Sequence, residues 1–192
     1  MEKVFTYDED GVKEICLLTY YPSKYQDSLE LTNEDLIVSQ FVLDFKNGHR
    51  PASVLAARIV AKAIKRHFNL TKDPLVLIPI PASNKEDSDK RYYLFSYLVS
   101  QHCNVVNGQK WVGNWKDVDK KHLSSSHVVQ NDQNRWFVNY SKVKNAKVII
   151  FDDIATTGAT ACEFTERLKD AGAKVVGRIF LASTYQIIGN NK

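Results

Sequence analysis

Apolar residues recur along the chain in two periods, and the change from one to the other divides it into elements. Leu55, Ile59, Val60, Ala63 and Ile64 stand at helical spacing, which predicts a helix over residues 52–67 with those side chains inward. Leu36, Ile37, Phe41 and Val42 fall on one side of an earlier helix, capped by Thr32 or Asn33 and ended near Phe45 by Asn47-Gly48. Pro51 then sits in the first turn of the helix that follows. Leu75-Val-Leu-Ile-Pro-Ile80 is a continuous apolar run, the pattern of a strand covered on both faces. Residues 147–151 read the same way, and residues 174–182 form a further strand. Between them come a helix at 90–102, a strand at 105–112, and an amphipathic helix at 159–171 stopped by Gly172. Strand and helix alternating over the C-terminal two-thirds predict an α/β fold with a mainly parallel sheet, in a single domain.

The N-terminal part reads differently. Residues 12–21 are rich in β-formers, and Asp8-Glu-Asp-Gly11 is a hairpin turn joining them to residues 3–7. Residues 81–89 form a polar loop. Residues 113–134 are the longest stretch without apolar periodicity; their Lys, Ser, Asp and Asn content predicts a long loop.

Composition narrows the class. The chain of 192 residues has 44% hydrophobic and 25% charged residues, a globular balance, and a net charge of +4 with no dense Lys/Arg block, so nucleic-acid binding is not demanded. Cys16, Cys103 and Cys162 are scattered and form no C-x-x-C pair, which argues against a zinc ribbon and for a reducing, cytoplasmic setting. Cys162 reads as a small core residue. The first ten residues carry four acids and no apolar run, unlike a signal peptide, and no apolar stretch is long enough to cross a bilayer.

The chemistry concentrates in Val148-Ile-Ile-Phe-Asp-Asp-Ile-Ala-Thr-Thr-Gly-Ala-Thr160. An apolar strand stops at Asp152 and Asp153, and ligands of open α/β sheets bind beyond the carboxyl ends of strands. The next segment, Ala155, Thr156, Thr157, Gly158, Ala159 and Thr160, is small and hydroxyl-rich and opens into a helix. Its backbone N–H groups and the positive helix start make a phosphate cradle, with Gly158 allowing a sharp turn. The two carboxylates would repel phosphate but suit vicinal hydroxyls or a hydrated divalent cation. Phosphate on one side and a diol on the other describe ribose 5-phosphate.

This segment resembles the phosphoribosyl pyrophosphate (PRPP) motif of the type I phosphoribosyltransferases. Further features are similar to the ComF branch of that family, which is amidophosphoribosyltransferase-like. Phe45-Lys-Asn-Gly-His-Arg50 resembles its early Lys-x-x-Gly-Arg element, Ile78-Pro-Ile-Pro-Ala-Ser83 its Pro-x-Pro strand end, and Asn134-Arg-Trp-Phe137 its Arg-Asn stretch. The resemblance covers residues 45–184 and implies a Rossmann-like sheet with a small N-terminal hood, here residues 1–44.

It also implies a reaction in which ribose 5-phosphate passes from PRPP, with Mg2+, to an acceptor, and pyrophosphate is released. Asp152 and Asp153 would hold the ribose hydroxyls and are the candidate ligands for the metal, and residues 155–160 would hold the 5-phosphate. Ala82, Ser83, Asn84 and Lys85 would lie against pyrophosphate, though Pro79 and Pro81 could equally just end a strand. A basic residue of the 113–135 stretch, Lys120, Lys121 or Arg135, would neutralise the leaving group, and Arg91 and Tyr92 would stand on the acceptor side. A homodimer is common for such enzymes. Two departures stand out: the branch's Cys-rich zinc element is absent, and Lys90-Arg-Tyr-Tyr-Leu94 replaces Arg-Gly-Phe-Asn-Gln. The lost Asn and Gln favour a second reading, a non-catalytic module of the same fold sensing PRPP or a nucleotide. A third, a competence accessory in DNA uptake, rests on the branch alone. His122, His127, Trp111, Trp115 and Trp136 read as surface or packing residues.

Overall fold

The computed structural model describes residues 3–5, 12–26, 28–70, 74–114 and 135–185. Eight strands and six α-helices follow one another there in this order: β1 (Lys3–Phe5), β2 (Lys13–Tyr20), α1 (Ser23–Gln26), α2 (Asn33–Lys46), α3 (Arg50–His67), β3 (Leu75–Pro79), α4 (Lys85–Cys103), β4 (Val106–Asn107), β5 (Val112–Asn114), β6 (Trp136–Val138), α5 (Tyr140–Val143), β7 (Lys147–Ala155), α6 (Ala159–Asp170) and β8 (Lys174–Thr184). Six strands make one sheet in the order β1-β2-β8-β7-β3-β4. Only β1 runs antiparallel, against β2; the other neighbours are parallel. The two strands expected at the N-terminus therefore pair antiparallel, the turn expected at residues 8–11 lies outside the described residues, and β2 lies beside β8 as part of the main sheet.

Strand alternation builds two cores. Ile149 and Phe151 of β7, Leu75 and Leu77 of β3, and Ile179 and Leu181 of β8 meet residues of α2, α3 and α4 on one face. Val148 and Ile150, Val76 and Ile78, and Phe180 meet Ala161, Phe164 and Leu168 of α6 on the other. Both faces of the central strands are covered, as their unbroken apolar runs require.

The helices sit as expected, with Val42, Val60, Ala63 and Ile64 buried and Phe41 and Ile59 packed against the core, but Leu36, Ile37 and Leu55 do not turn inward. Thr32 caps α2 in a reciprocal capping box with Asp35. Its buried face is Ser39, Val42 and Phe45, leaving Ile37 68% exposed and Leu36 exposed as well. On α3, Ala52, Ala56, Ala57, Val60, Ala61, Ala63 and Ile64 go inward, while Leu55 is 47% exposed. Small alanines make up most of that face, and Leu55 falls on its flank.

Three boundaries move. The helix expected at 90 starts at Lys85, because Asn84 accepts from the Asp87 N–H and caps it there. The strand expected over 105–112 breaks into β4, a 3-10 turn over Gln109–Trp111, and β5. Gly108 makes the break: its N–H bonds to the Leu77 carbonyl, and a Cβ there would sit 2.7 Å from Val76 Cγ1. β7 runs on through Asp152 and Asp153 to Ala155, past the expected stop at Phe151. The small β5–β6 ribbon and the one-turn α5 were not anticipated. Of the expected 113–134 loop, Gly113 and Asn114 belong to β5 and the rest lies outside the described residues.

Candidate functional site

The chain leaves β3 for β4 on one side and returns to β7 on the other, so β3 and β7 flank the point where strand order reverses. A crevice forms outside the carboxyl ends of such strands. The Ile80 N–H donates to the Phe151 carbonyl at 2.8 Å, which holds the two strand ends together at its floor.

On the β7 side the acids and the hydroxyl-rich turn follow directly. Gly158 has φ +76°, the left-handed region, and stands as N-cap of α6 without a side-chain cap. A Cβ added to it would meet nothing within 4 Å. Thr156, Thr157, Ala159 and Thr160 are exposed, the first turn of α6 carries no acid, and the Ala159 N–H makes a long bond, 3.4 Å, to Thr157 Oγ1. This is an accessible helix start with partial positive charge, the expected cradle for an anion. Ala155 is the exception, being the last residue of β7 rather than of the turn.

Asp152 and Asp153 follow Phe151 in β7, and their carboxyl groups interact with each other. Asp153 follows Phe151 toward α4, where Arg91 Nη1 donates to its Oδ2 at 2.8 Å. It is 7% exposed. Asp152 follows Ile150 toward α6, is half-buried, and accepts the Asp153 N–H at 2.9 Å. Burial, then the neighbouring Asp153, push the Asp152 carboxyl well above the usual carboxylate range, with Arg91 opposing. A pair of carboxylates without enough positive charge favours hydroxyl donors or a cation as ligand. A hydrated Mg2+ would fit beside Asp152, since that ion keeps most of its waters and takes few protein ligands. Among the described residues there is no group of three or more His, Cys, Asp or Glu side chains that could hold a metal.

The β3 side is less accommodating. Ser88 Oγ already accepts the Ala82 N–H at 2.8 Å, Ser83 leans on Asp87, the Asn84 side chain caps α4, and Lys85 pairs with Asp89. Glu86 and Asp87 occupy the first turn of α4. Ala82, Ser83, Asn84 and Lys85 thus form a cap on an acidic helix start, and an anion there needs a cation between. Asn114 Nδ2 bonds to the Ala82 carbonyl, bringing the end of β5 against this loop.

The remaining expected residues are dispersed. Tyr92 is 1% exposed within the aromatic cluster of Phe45, Phe95 and Phe151, so it packs the core and does not face an acceptor. Arg91 is turned to Asp153, in the second turn of α4, rather than to an acceptor. Arg135 is exposed, with its guanidinium 5.3 Å from the Trp136 ring centre. Trp136 itself is core, edge-on to Phe164. Lys120, Lys121, His122, His127 and Trp115 lie outside the described residues. Cys162 is exposed, contrary to its reading as core, and Arg178 Nη1 reaches its Sγ at 3.3 Å.

Sequence comparison then gives the turn its context. The phosphoribosyl transferase domain family matches residues 116–186. That match, with the parallel sheet and the β7–turn–α6 unit inside it, gives the type I phosphoribosyltransferase fold. Over 189 aligned residues the chain is 25% identical to a ribose-phosphate pyrophosphokinase of Vibrio cholerae, covering 92% of this chain and 54% of that protein. It is 38% identical over 53 residues to an adenine phosphoribosyltransferase of Campylobacter jejuni, covering 28% of this chain and 29% of that one. The chain thus spans about half the length of the first and under a third of the second. Among solved structures, an adenine phosphoribosyltransferase of Thermoanaerobacter pseudethanolicus is 18% identical with a TM-score of 0.47, over 70% of each chain.

Proposed function

We propose that this chain binds PRPP and transfers its ribose 5-phosphate to an acceptor that the sequence leaves unidentified, releasing pyrophosphate. One observation carries the reading: an acid-free helix start without a side-chain cap, after a Thr-Thr-Gly turn, directly follows the strand end that carries Asp152 and Asp153. The turn suits the 5-phosphate, and Asp152 with Asp153 the ribose hydroxyls. In the transfer the bond from ribose C1 to pyrophosphate breaks, one to the acceptor's nucleophile forms, and the acceptor's proton goes to solvent or a base. Mg2+, bound with PRPP, would screen the diphosphate from the acids at the α4 start. Lys121 or Arg135 would take up charge on the leaving group.

A specific observation also favours the second reading. The loop assigned to pyrophosphate has its Ala82 N–H engaged and acids at its helix start. A module that senses PRPP or a nucleotide through the turn alone needs nothing from that loop. Likeness to the ComF branch, a competence role, a cytoplasmic location and a homodimer belong to the proposal on the same footing as the acceptor.

Calorimetry with PRPP and Mg2+, followed by pyrophosphate release with purine bases, orotate, ammonia or glutamine as acceptor, separates the two. Binding with release supports the transferase. Binding without release for every acceptor supports the sensor. Absence of binding discards both.

A further inference from the structure

Arg167 is a buried cation that the chain serves on one side only. It stands in the second half of α6, 8% exposed, and its Nη1 donates to the Tyr140 hydroxyl at 3.1 Å. Its Nε and Nη2 are buried and meet no acceptor among the described residues. Trp136 Nε1, also buried, has no acceptor among them either. Trp136 lies edge-on to Phe164, with 5.0 Å between ring centres, and Phe164 stands one turn before Arg167 on α6. Tyr140 completes the group, its ring centre 5.7 Å from the guanidinium carbon. Three donor nitrogens thus collect where the described residues supply no oxygen. Buried donors are nearly always paired, so the arrangement calls for an acceptor from outside them.

We propose that Arg167, Trp136 and Tyr140 form a second ligand site, which takes the carboxylate of a small apolar acid. It is separate from the proposed ribose 5-phosphate site, since Arg167 lies roughly two and a half turns along α6 from Gly158.

The choice of nitrogens says which acceptor fits. Nε and Nη2 carry the two parallel N–H bonds of one guanidinium edge, the fork that takes both oxygens of a carboxylate. A water could accept from one or two of these donors, but it would leave the positive charge buried and uncompensated. A dianion would overcompensate it. A single negative charge spread over two oxygens matches, and the Tyr140 hydroxyl, which accepts from Nη1, keeps its own proton for one of them. The rings of Trp136 and Phe164 add apolar surface suited to a short hydrocarbon tail. Tyr140 is half-buried and its neighbours Ser141 and Lys142 are exposed, so on that side one short turn, α5, stands between Arg167 and solvent.

The probe is propionate, added to the whole chain and followed by saturation-transfer NMR. Melting temperature is read in parallel, against chloride at equal ionic strength. The unaltered chain is expected to bind with a dissociation constant on the order of 1 mM, in keeping with so small a ligand. At about twentyfold excess over that constant it should melt about 3–7 °C higher. Propionamide, which keeps the shape without the charge, is expected to do neither. Arg167→Met removes the fork and the charge together, and both the NMR signal and the propionate-specific melting shift are expected to vanish. Arg167→Lys keeps the charge without the fork and is expected to bind about tenfold more weakly. Binding that survives Arg167→Met would overturn the proposal, as would propionamide acting like propionate. So would the absence of any saturable effect in the unaltered chain. If Arg167→Met does not fold, Arg167→Lys decides, and an affinity equal to the unaltered chain's would refute the fork.

Discussion

Gly48 lies directly against Lys90: a Cβ on the glycine would come 2.6 Å from Lys90 Cγ and 2.7 Å from its carbonyl oxygen. Gly48 also has φ +73°, where a side chain is strained. Gly48→Ala therefore meets two penalties, and one obstacle is backbone that cannot swing away. The expected loss is about 2 kcal/mol or more, a fall of roughly 4–8 °C for a chain this size. Ribose 5-phosphate affinity should fall with it, because α4 carries Arg91. A melting temperature unchanged in Gly48→Ala would mean that the α2–α4 contact is loose.

Gly158→Ala separates strain from contact. The φ of +76° is as unfavourable, yet a Cβ meets nothing within 4 Å. Only the backbone penalty remains, about 1 kcal/mol, and a melting shift of only a few degrees is expected. Binding of inorganic phosphate or ribose 5-phosphate should suffer more, since any relaxation of the turn turns its N–H groups away. Calorimetry showing equal affinity for the variant and the unaltered chain would disconnect the turn from phosphate.

The place of the site was legible because its signal is local. An apolar run, acids, a small hydroxyl-rich turn and a helix pattern follow one another within thirteen residues, and the structure keeps them in that order. The tie of Arg91 to Asp153 spans 62 residues, and nothing near either residue announces it. One signal could have found it. Asp153 stands two residues after Phe151 in the strand, so it falls toward the helices that cover Phe151. On α2 and α3 the pattern places Val42, Val60, Ala63 and Ile64 inward, as found, but also Leu36, Ile37 and Leu55, which the structure leaves exposed. Hydrophobicity ranks Leu55 and Ile37 above Ala56 and Ser39, but close helix packing selects small residues. Asn84 was counted as loop although Asn followed three residues later by Asp is a cap signature, and that misplaced the start of α4 by a turn.

Asp152 should make the protein less stable as pH rises. Its carboxyl is raised in the folded chain above its ordinary value, mainly by burial and then by Asp153, so the folded state binds more protons than the unfolded state between the ordinary value and the raised one. Stability from this group is full below the unfolded value and declines as pH climbs through the folded one. Asp152→Asn removes that decline. Denaturant midpoints for the variant are expected to match the unaltered chain near pH 4 and to exceed it at pH 7. A variant less stable at pH 7 would mean that the carboxylate is held by donors in the folded chain. The comparison also isolates function, since a variant that is more stable and binds sugar phosphate worse cannot owe its defect to unfolding.

Thiol chemistry offers a check on α6 that needs no ligand. Cys16 and Cys103 are buried and Cys162 is exposed. Burial pushes the Cys103 thiol up to about 11, so its thiolate is about one part in a thousand at pH 8. Cys162 sits one turn into α6, with its N–H on the Gly158 carbonyl at 3.0 Å. Iodoacetamide at pH 8 is therefore expected to modify one cysteine quickly, and Cys162→Ser should abolish that fast phase. Because the thiol stands one turn from the proposed phosphate turn, ribose 5-phosphate should slow the reaction in proportion to occupancy. Fast labelling at Cys103 or Cys16 would contradict the packing of β2 and the end of α4. Labelling of Cys162 that saturating ribose 5-phosphate leaves unaltered would argue that the sugar phosphate binds away from the start of α6.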